Sequence, residues 1–221
     1  MRQRSGESQE APTRLPIDRR DLAFALFTGI VSAAVKVISL TQPEWRLGMS
    51  DSLVPSLLAV GYIIHRARRE PEKLDEWGLT TPITVQAALV GLLLLCAGAG
   101  ALAALGFLAA GRLSFEPAYV PAMLHYLLGA FPQQFFMCSV GLVTLAKLDA
   151  FRGPWRLPLA VGCIFAMAHF WTPHLIPGTA IPVQVPGTFP MGFLAAWYFL
   201  RYRTMLPLTV GHAVLYILLN K

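Results

Sequence analysis

The chain is 221 residues long, 55% hydrophobic and only 14% charged, with a mean hydropathy of +0.55. A soluble domain carries about 25% charged residues, so the composition excludes an ordinary soluble globule and indicates a polytopic membrane protein. The net charge of +6 and pI near 9.5 do not signal nucleic acid, because no nucleic-acid motif is present and basic residues gather in cytoplasmic loops of membrane proteins.

The first twenty residues are polar, with Arg2, Arg4, Arg14, Arg19 and Arg20. No cleavage site closes the apolar run that follows, so residues 1–20 read as a cytoplasmic tail and 21–221 as a single transmembrane domain. Apolar segments then fall at about 22–40, 52–65, 84–110, 119–148, 157–172, 187–200 and 205–219. The expected fold is all-α, a membrane helix bundle with about seven transmembrane segments.

An inside N-terminus collects the tail arginines, then Arg66, Arg68, Arg69 and Lys73, then Lys147, Arg152 and Arg156, and finally Arg201 and Arg203 on the cytoplasmic side. Arg46, Arg112 and Lys221 fall opposite, and this bias predicts N-in, C-out insertion; the membrane expected is the bacterial cytoplasmic membrane. Lys36, within the first span, reads as a lysine that snorkels to the outer surface, and His125 as a packing residue.

The segment 119–148 holds Phe131-Pro132-Gln133-Gln134-Phe135-Phe136-Met137-Cys138. One long proline-kinked helix, or a re-entrant piece followed by a span, fits the charge pattern. Two adjacent side-chain amides at that depth need partners that lipid cannot give. The stretch 173–190 has five prolines and no charged residue, and reads as an irregular outer connector, with a lid over a site as the alternative.

Counted from the cytoplasmic ends of their helices, Gln134, His169 and His212 lie at depths of about 20, 20 and 14 Å, so they can share one layer. Within helices, Gln134 and Cys138, Phe165 and His169, and His212 and Tyr216 stand at i,i+4 and share a face. Cys96, Cys138 and Cys163 lie in apolar runs and form no disulfide framework or redox motif.

These residues resemble the motifs of the CAAX protease and bacteriocin-processing (CPBP) family of intramembrane glutamic proteases. That family carries Glu-Glu-x-x-x-Arg, Phe-x-x-x-His and His-x-x-x-Asn on successive helices. The second motif is intact as Phe165 to His169. The third is partial, with Tyr216 at the asparagine position after His212. In the first, Gln133 and Gln134 replace the glutamates and Cys138 the arginine. Asp75-Glu76-Trp77-Gly78-Leu79-Thr80 and the approach from Gly192 to His212 are also similar, so the family-like core covers about 75–220.

The resemblance implies peptide-bond hydrolysis in membrane-associated or lipid-modified substrates, with a glutamate as base, one histidine positioning water, and the second histidine with the asparagine holding the oxyanion. Gln133, Gln134, His169 and His212 are the family-equivalent catalytic positions, with Cys138, Phe165 and Tyr216 supporting them. Glutamine keeps the hydrogen-bonding shape of glutamate and cannot act as a base near neutral pH. Three accounts stay open: a silent member that binds a membrane partner, glutamates silenced by design, and a peptidase using Cys138 as nucleophile with a histidine base. A metal or haem site lacks a placed carboxylate or thiolate beside the histidines, and a transporter lacks an internal repeat. The expected partners are membrane lipid and a membrane-associated peptide or protein, with no cofactor, no metal and no nucleic acid.

Overall fold

In a computed structural model of the chain, the described residues are 17–41, 50–110, 119–151, 153–169 and 184–219. Among them every regular element is helical: α1 (Arg19–Thr41), α2 (Ser50–Ala67), α3 (Glu72–Glu76), α4 (Val85–Ala110), α5 (Tyr119–Gln134), α6 (Leu142–Ala146), α7 (Arg156–His169), α8 (Gln184–Tyr202) and α9 (Leu206–Leu219). A π-helical turn, Phe135–Gly141, joins α5 to α6 without a break. Each apolar stretch of the sequence therefore becomes one rod of a membrane helix bundle, with α5, the π turn and α6 forming a single rod.

Met123–Ala146 passes a test for a membrane-crossing helix by length and apolarity among the described residues, with shorter apolar helices at Val54–Ala67, Val85–Ala101, Arg156–Met167 and Leu206–Leu215. Large apolar side chains turned outward include Ile30, Leu57, Leu93, Leu124 and Met167. A solvated surface would not tolerate so wide an apolar belt, whereas acyl chains cover it at no cost.

The rods start and stop for local reasons. Asp18 caps α1, its carboxylate accepting the Arg20 and Asp21 backbone N–H groups at 3.0 and 3.4 Å. Thr84 caps α4 by accepting the Ala87 N–H at 3.1 Å. Both place an oxygen on the orphan donors of a first turn. Arg203 ends α8 with φ 53°, the left-handed conformation that closes many helices, although glycine usually supplies it.

The connector expected across 173–190 is corrected at its C-terminal end, since α8 already begins at Gln184 and takes in Pro186 and Pro190. Pro186 stands in the first turn, where no N–H is required, and Pro190 removes one internal bond that the rest of the helix tolerates. Residues 173–183 of that connector, the tail arginines Arg2, Arg4 and Arg14, and the Arg46, Arg112, Arg152 and Lys221 positions lie outside the described residues, as does the side chain of Lys36.

The helix α5 continues through Pro132, which is fully buried, as far as Gln134. A proline has no N–H, so the carbonyl four residues back, that of Leu128, loses its helical donor. Ser56 of α2 supplies the replacement, its hydroxyl donating to the Leu128 oxygen at 2.5 Å. The irregularity falls later, in the π turn, where the Leu142 N–H reaches the Met137 carbonyl, five residues back. Gly141 permits this widening, because a Cβ there would stand 2.6 Å from the Phe136 carbonyl oxygen. Such π turns are frequent beside functional sites.

The core gathers around this turn. Phe135, Cys138, Val140 and Leu142 are buried against Trp77, Ala196, Phe199 and Met205. An aromatic chain runs from Phe136 to Phe24, Tyr62, Trp77 and Phe135, with Phe24 stacked on Tyr62 at 3.6 Å. At one end of the bundle this core is closed by charge. Lys73 of α3 binds Asp21 at 2.9 Å, Asp18 at 3.1 Å and Glu76 at 2.8 Å, and Lys147 after α6 binds Glu76 at 2.9 Å. Arg66 at the end of α2 pairs with Asp18 and with Glu70. Burial would raise the Asp18 and Glu76 carboxyls, but the hydrogen bonds from Arg66 and Lys73 to the first, and from Lys73 and Lys147 to the second, outweigh it and hold both below the usual carboxylate range.

Candidate functional site

The amide pair sits at the last turn of α5, immediately before the π turn, and its two members face different surroundings. Gln134 is 3% exposed and Gln133 is half-buried. Across the α5–α9 interface, the Gln134 Nε2 lies 2.8 Å from the His212 Nδ1. On the other side, the Cys138 thiol donates to the Gln134 Oε1 at 3.4 Å. With the amide nitrogen donating, His212 accepts at Nδ1 and carries its ring proton on Nε2. The i,i+4 spacing of Gln134 and Cys138 and the matched depth of Gln134 and His212 thus each end in a direct contact.

His212 is 5% exposed and boxed by rings. Phe165 of α7 meets it edge to face at 5.8 Å and Tyr126 of α5 at 6.0 Å between ring centroids. Phe165 is delivered by an unusually close helix pair. Gly162 and Gly192 face each other across α7 and α8, and a Cβ on Gly192 would fall 2.6 Å from the Phe165 Cβ. Small residues allow such approach in membrane bundles.

Gln133 takes a separate partner, donating from Nε2 to the Tyr126 hydroxyl at 3.2 Å. Tyr126 did not emerge from the motif spacing, yet it touches both an amide of the pair and the histidine. The signal for it was its place two turns before Gln133 on the same helix, a polar tip at i,i+7 in an otherwise apolar face.

The structure therefore brings Gln134, Cys138, Phe165 and His212 together and joins Gln133 to their edge through Tyr126. His169 ends α7 and Tyr216 lies in α9, but their side chains fall outside the described residues. Among the described residues, no three His, Cys, Asp or Glu side chains gather as a metal ion would require. Chemically, the cluster offers neutral donors and acceptors in an aromatic wall. The amide of Gln134 can orient His212 but has no lone pair basic enough to take a proton from water at neutral pH. Cys138 is fully buried and its thiol donates to an amide oxygen, so no base reaches it among the described contacts.

Residues 118–218, which contain Gln133, Gln134, Cys138, Phe165, His169, His212 and Tyr216, match the family model for Type II CAAX prenyl endopeptidase Rce1-like proteins. No curated protein and no solved structure matches the chain.

Proposed function

We propose that this chain, whose residues 118–218 match the CAAX endopeptidase family model, is a non-hydrolytic member of the CAAX protease family that binds a membrane-associated, lipid-modified polypeptide. The observation that carries the proposal is the Gln134 amide, which bonds the His212 Nδ1 at 2.8 Å while accepting the Cys138 thiol. In an active relative a glutamate takes a proton from water and a histidine positions that water, and general-base catalysis alone is worth about 10²–10⁴ in rate. Here the same positions hold amides, which keep a neutral, directional cradle for a peptide group and supply no base. The chain lies in the membrane with its N-terminus on the cytoplasmic side, which puts the ion-paired end of the bundle in the cytoplasm.

The test compares the full chain with its Gln133→Glu plus Gln134→Glu variant, in detergent or nanodiscs, on a farnesylated CAAX-box peptide reporter. Binding without cleavage by the chain, and cleavage at least about 10²-fold above background by the variant, is the expected result. Cleavage by the unaltered chain would overturn it. If Cys138→Ala abolished that cleavage, the thiol mechanism would take its place.

A further inference from the structure

Trp77 and Gly78 lie outside the family-matched stretch, yet they touch both helices that carry the Gln134–His212 contact. The Ser139 hydroxyl, in the π turn five residues after Gln134, donates to the Trp77 carbonyl at 2.7 Å and lies 3.2 Å from the Met205 sulfur. The Met205 N–H, seven residues before His212, donates to the Gly78 carbonyl at 3.1 Å. Two consecutive backbone carbonyls thus hold the same level of two antiparallel rods.

The segment is itself fixed in place. Trp77 and Ser139 are fully buried. Gly78 adopts φ 69°, and a Cβ there would meet the Arg203 carbonyl oxygen at 2.6 Å and the Phe199 ring at 2.8 Å. Arg203 donates to the Glu76 carbonyl at 3.4 Å, while the Glu76 carboxylate holds Lys73 and Lys147. The indole N–H of Trp77 meets no acceptor among the described residues, so Trp77 makes its polar contact to the π turn through its carbonyl.

We propose that Ser139, acting with the Trp77–Gly78 segment, is the positioning residue of the site, setting the axial register of α9 against α5 so that His212 meets Gln134. The register matters because a histidine–amide hydrogen bond weakens steeply once its angle falls away from linear. A slide of either rod by a fraction of the 1.5 Å rise per residue is enough to misalign it. Ser139 is fully buried and acts only through these two helices. The inference rests on the amide–histidine pair being the core of the binding site. Its test reads the histidine and not cleavage, so the two can fail separately.

The experiment is ¹⁵N spectroscopy of the full chain in nanodiscs with labelled histidine, His212 being identified by the resonances lost in His212→Gln. Ser139→Ala is expected to displace and broaden the His212 Nδ1 resonance relative to the unaltered chain. Ser139→Cys, which keeps a donor of similar size, is expected to move it back towards its original position. Met205→Leu, which removes the sulfur acceptor while keeping an apolar side chain of similar volume, serves if Ser139→Ala does not fold, and is expected to displace the same resonance by less. A His212 signal unchanged in a folded Ser139→Ala or Met205→Leu protein, whatever happens to its melting temperature, would overturn the proposal and leave Ser139 as a packing residue.

Discussion

At position 192 the absent side chain is what brings Phe165 to His212. An added Cβ would stand 2.6 Å from the Phe165 Cβ and 3.2 Å from the Gly162 Cα, contacts that no rotamer change relieves. Gly192→Ala should therefore push α7 from α8, draw the Phe165 ring off His212, and cost about 1–3 kcal/mol as overpacking does elsewhere. Gly211→Ala, one residue before His212 but facing open space, should leave stability unchanged or slightly raised, since alanine is the better helix residue. Denaturant melts of the two variants in the same micelle check the contrast, and equal effects would count against the close-packed α7–α8 interface. The sequence exposed this site unevenly. Depth counting placed Gln134 beside His212 because both sit on regular helices measured from charged ends. It could not find Ser139 or Tyr126, whose polar atoms reach their partners through a backbone carbonyl and across two turns.

Among the elements, the central rod shows how a buried proline is accommodated. The sequence led to a long helix carrying Pro132 or a re-entrant piece, and α5 continues through the proline to Gln134, with Ser56 of α2 donating to the Leu128 carbonyl that the proline leaves open. A carbonyl left without a donor at the lipid-facing surface of the bundle, away from water, costs about 1–3 kcal/mol. Ser56→Ala should lose stability of that order, and Ser56→Ala combined with Pro132→Ala should recover most of it, because alanine returns the helical N–H. A double-mutant cycle by thermal unfolding measures the coupling, and additive effects would refute the link. Helix existence and order were legible from apolar run lengths and from charges at the run ends. The start of α8 was not, because prolines at the first turn of a helix and prolines in a connector look alike until the backbone is seen.

For the molecule as a whole, stability is tied to the ion-paired end of the bundle. Asp18 and Glu76 have carboxyls held below their ordinary range by Lys73 and neighbouring cations. Their contribution is complete above the unfolded carboxylate value of about pH 4 and is lost as pH falls below it. Lys73 is shifted the opposite way: burial disfavours its charge, but its bonds to Glu76, Asp21 and Asp18 prevail and raise it. Its contribution is complete below about pH 10.4 and is lost as pH climbs beyond. Melting temperature against pH should show a plateau between these limits with a fall on either side. Lys73→Met should destabilise the protein on the plateau by about 3–5 kcal/mol by leaving Asp21 short of a partner, and should make the acid limb shallower, because the folded Asp18 and Glu76 values rise towards the unfolded one. An acid limb of unchanged steepness would show that Lys73 is not what holds those carboxyls. The sequence announced these cations as loop charges that orient the chain, which is how topology uses them. That three of them also bind α1, α2, α3 and the end of α6 into one cluster depends on chain ends meeting in space, and no local pattern encodes that.

The π turn of the central rod has a consequence for comparing this chain with its relatives. A turn closed over five residues holds one residue more than an α turn spanning the same height. Two chains that differ only in having or lacking it cannot be superposed without a gap on both flanks at once. If a relative's rod is α-helical throughout, a gapless alignment anchored on Gln133 and Gln134 puts every position after Gly141 one step out of phase. One anchored beyond Gly141 displaces the amide pair by the same step. The three residues between Gln134 and Cys138 are therefore the weakest ruler in the protein, and homology at Cys138 has to be judged from superposed backbones.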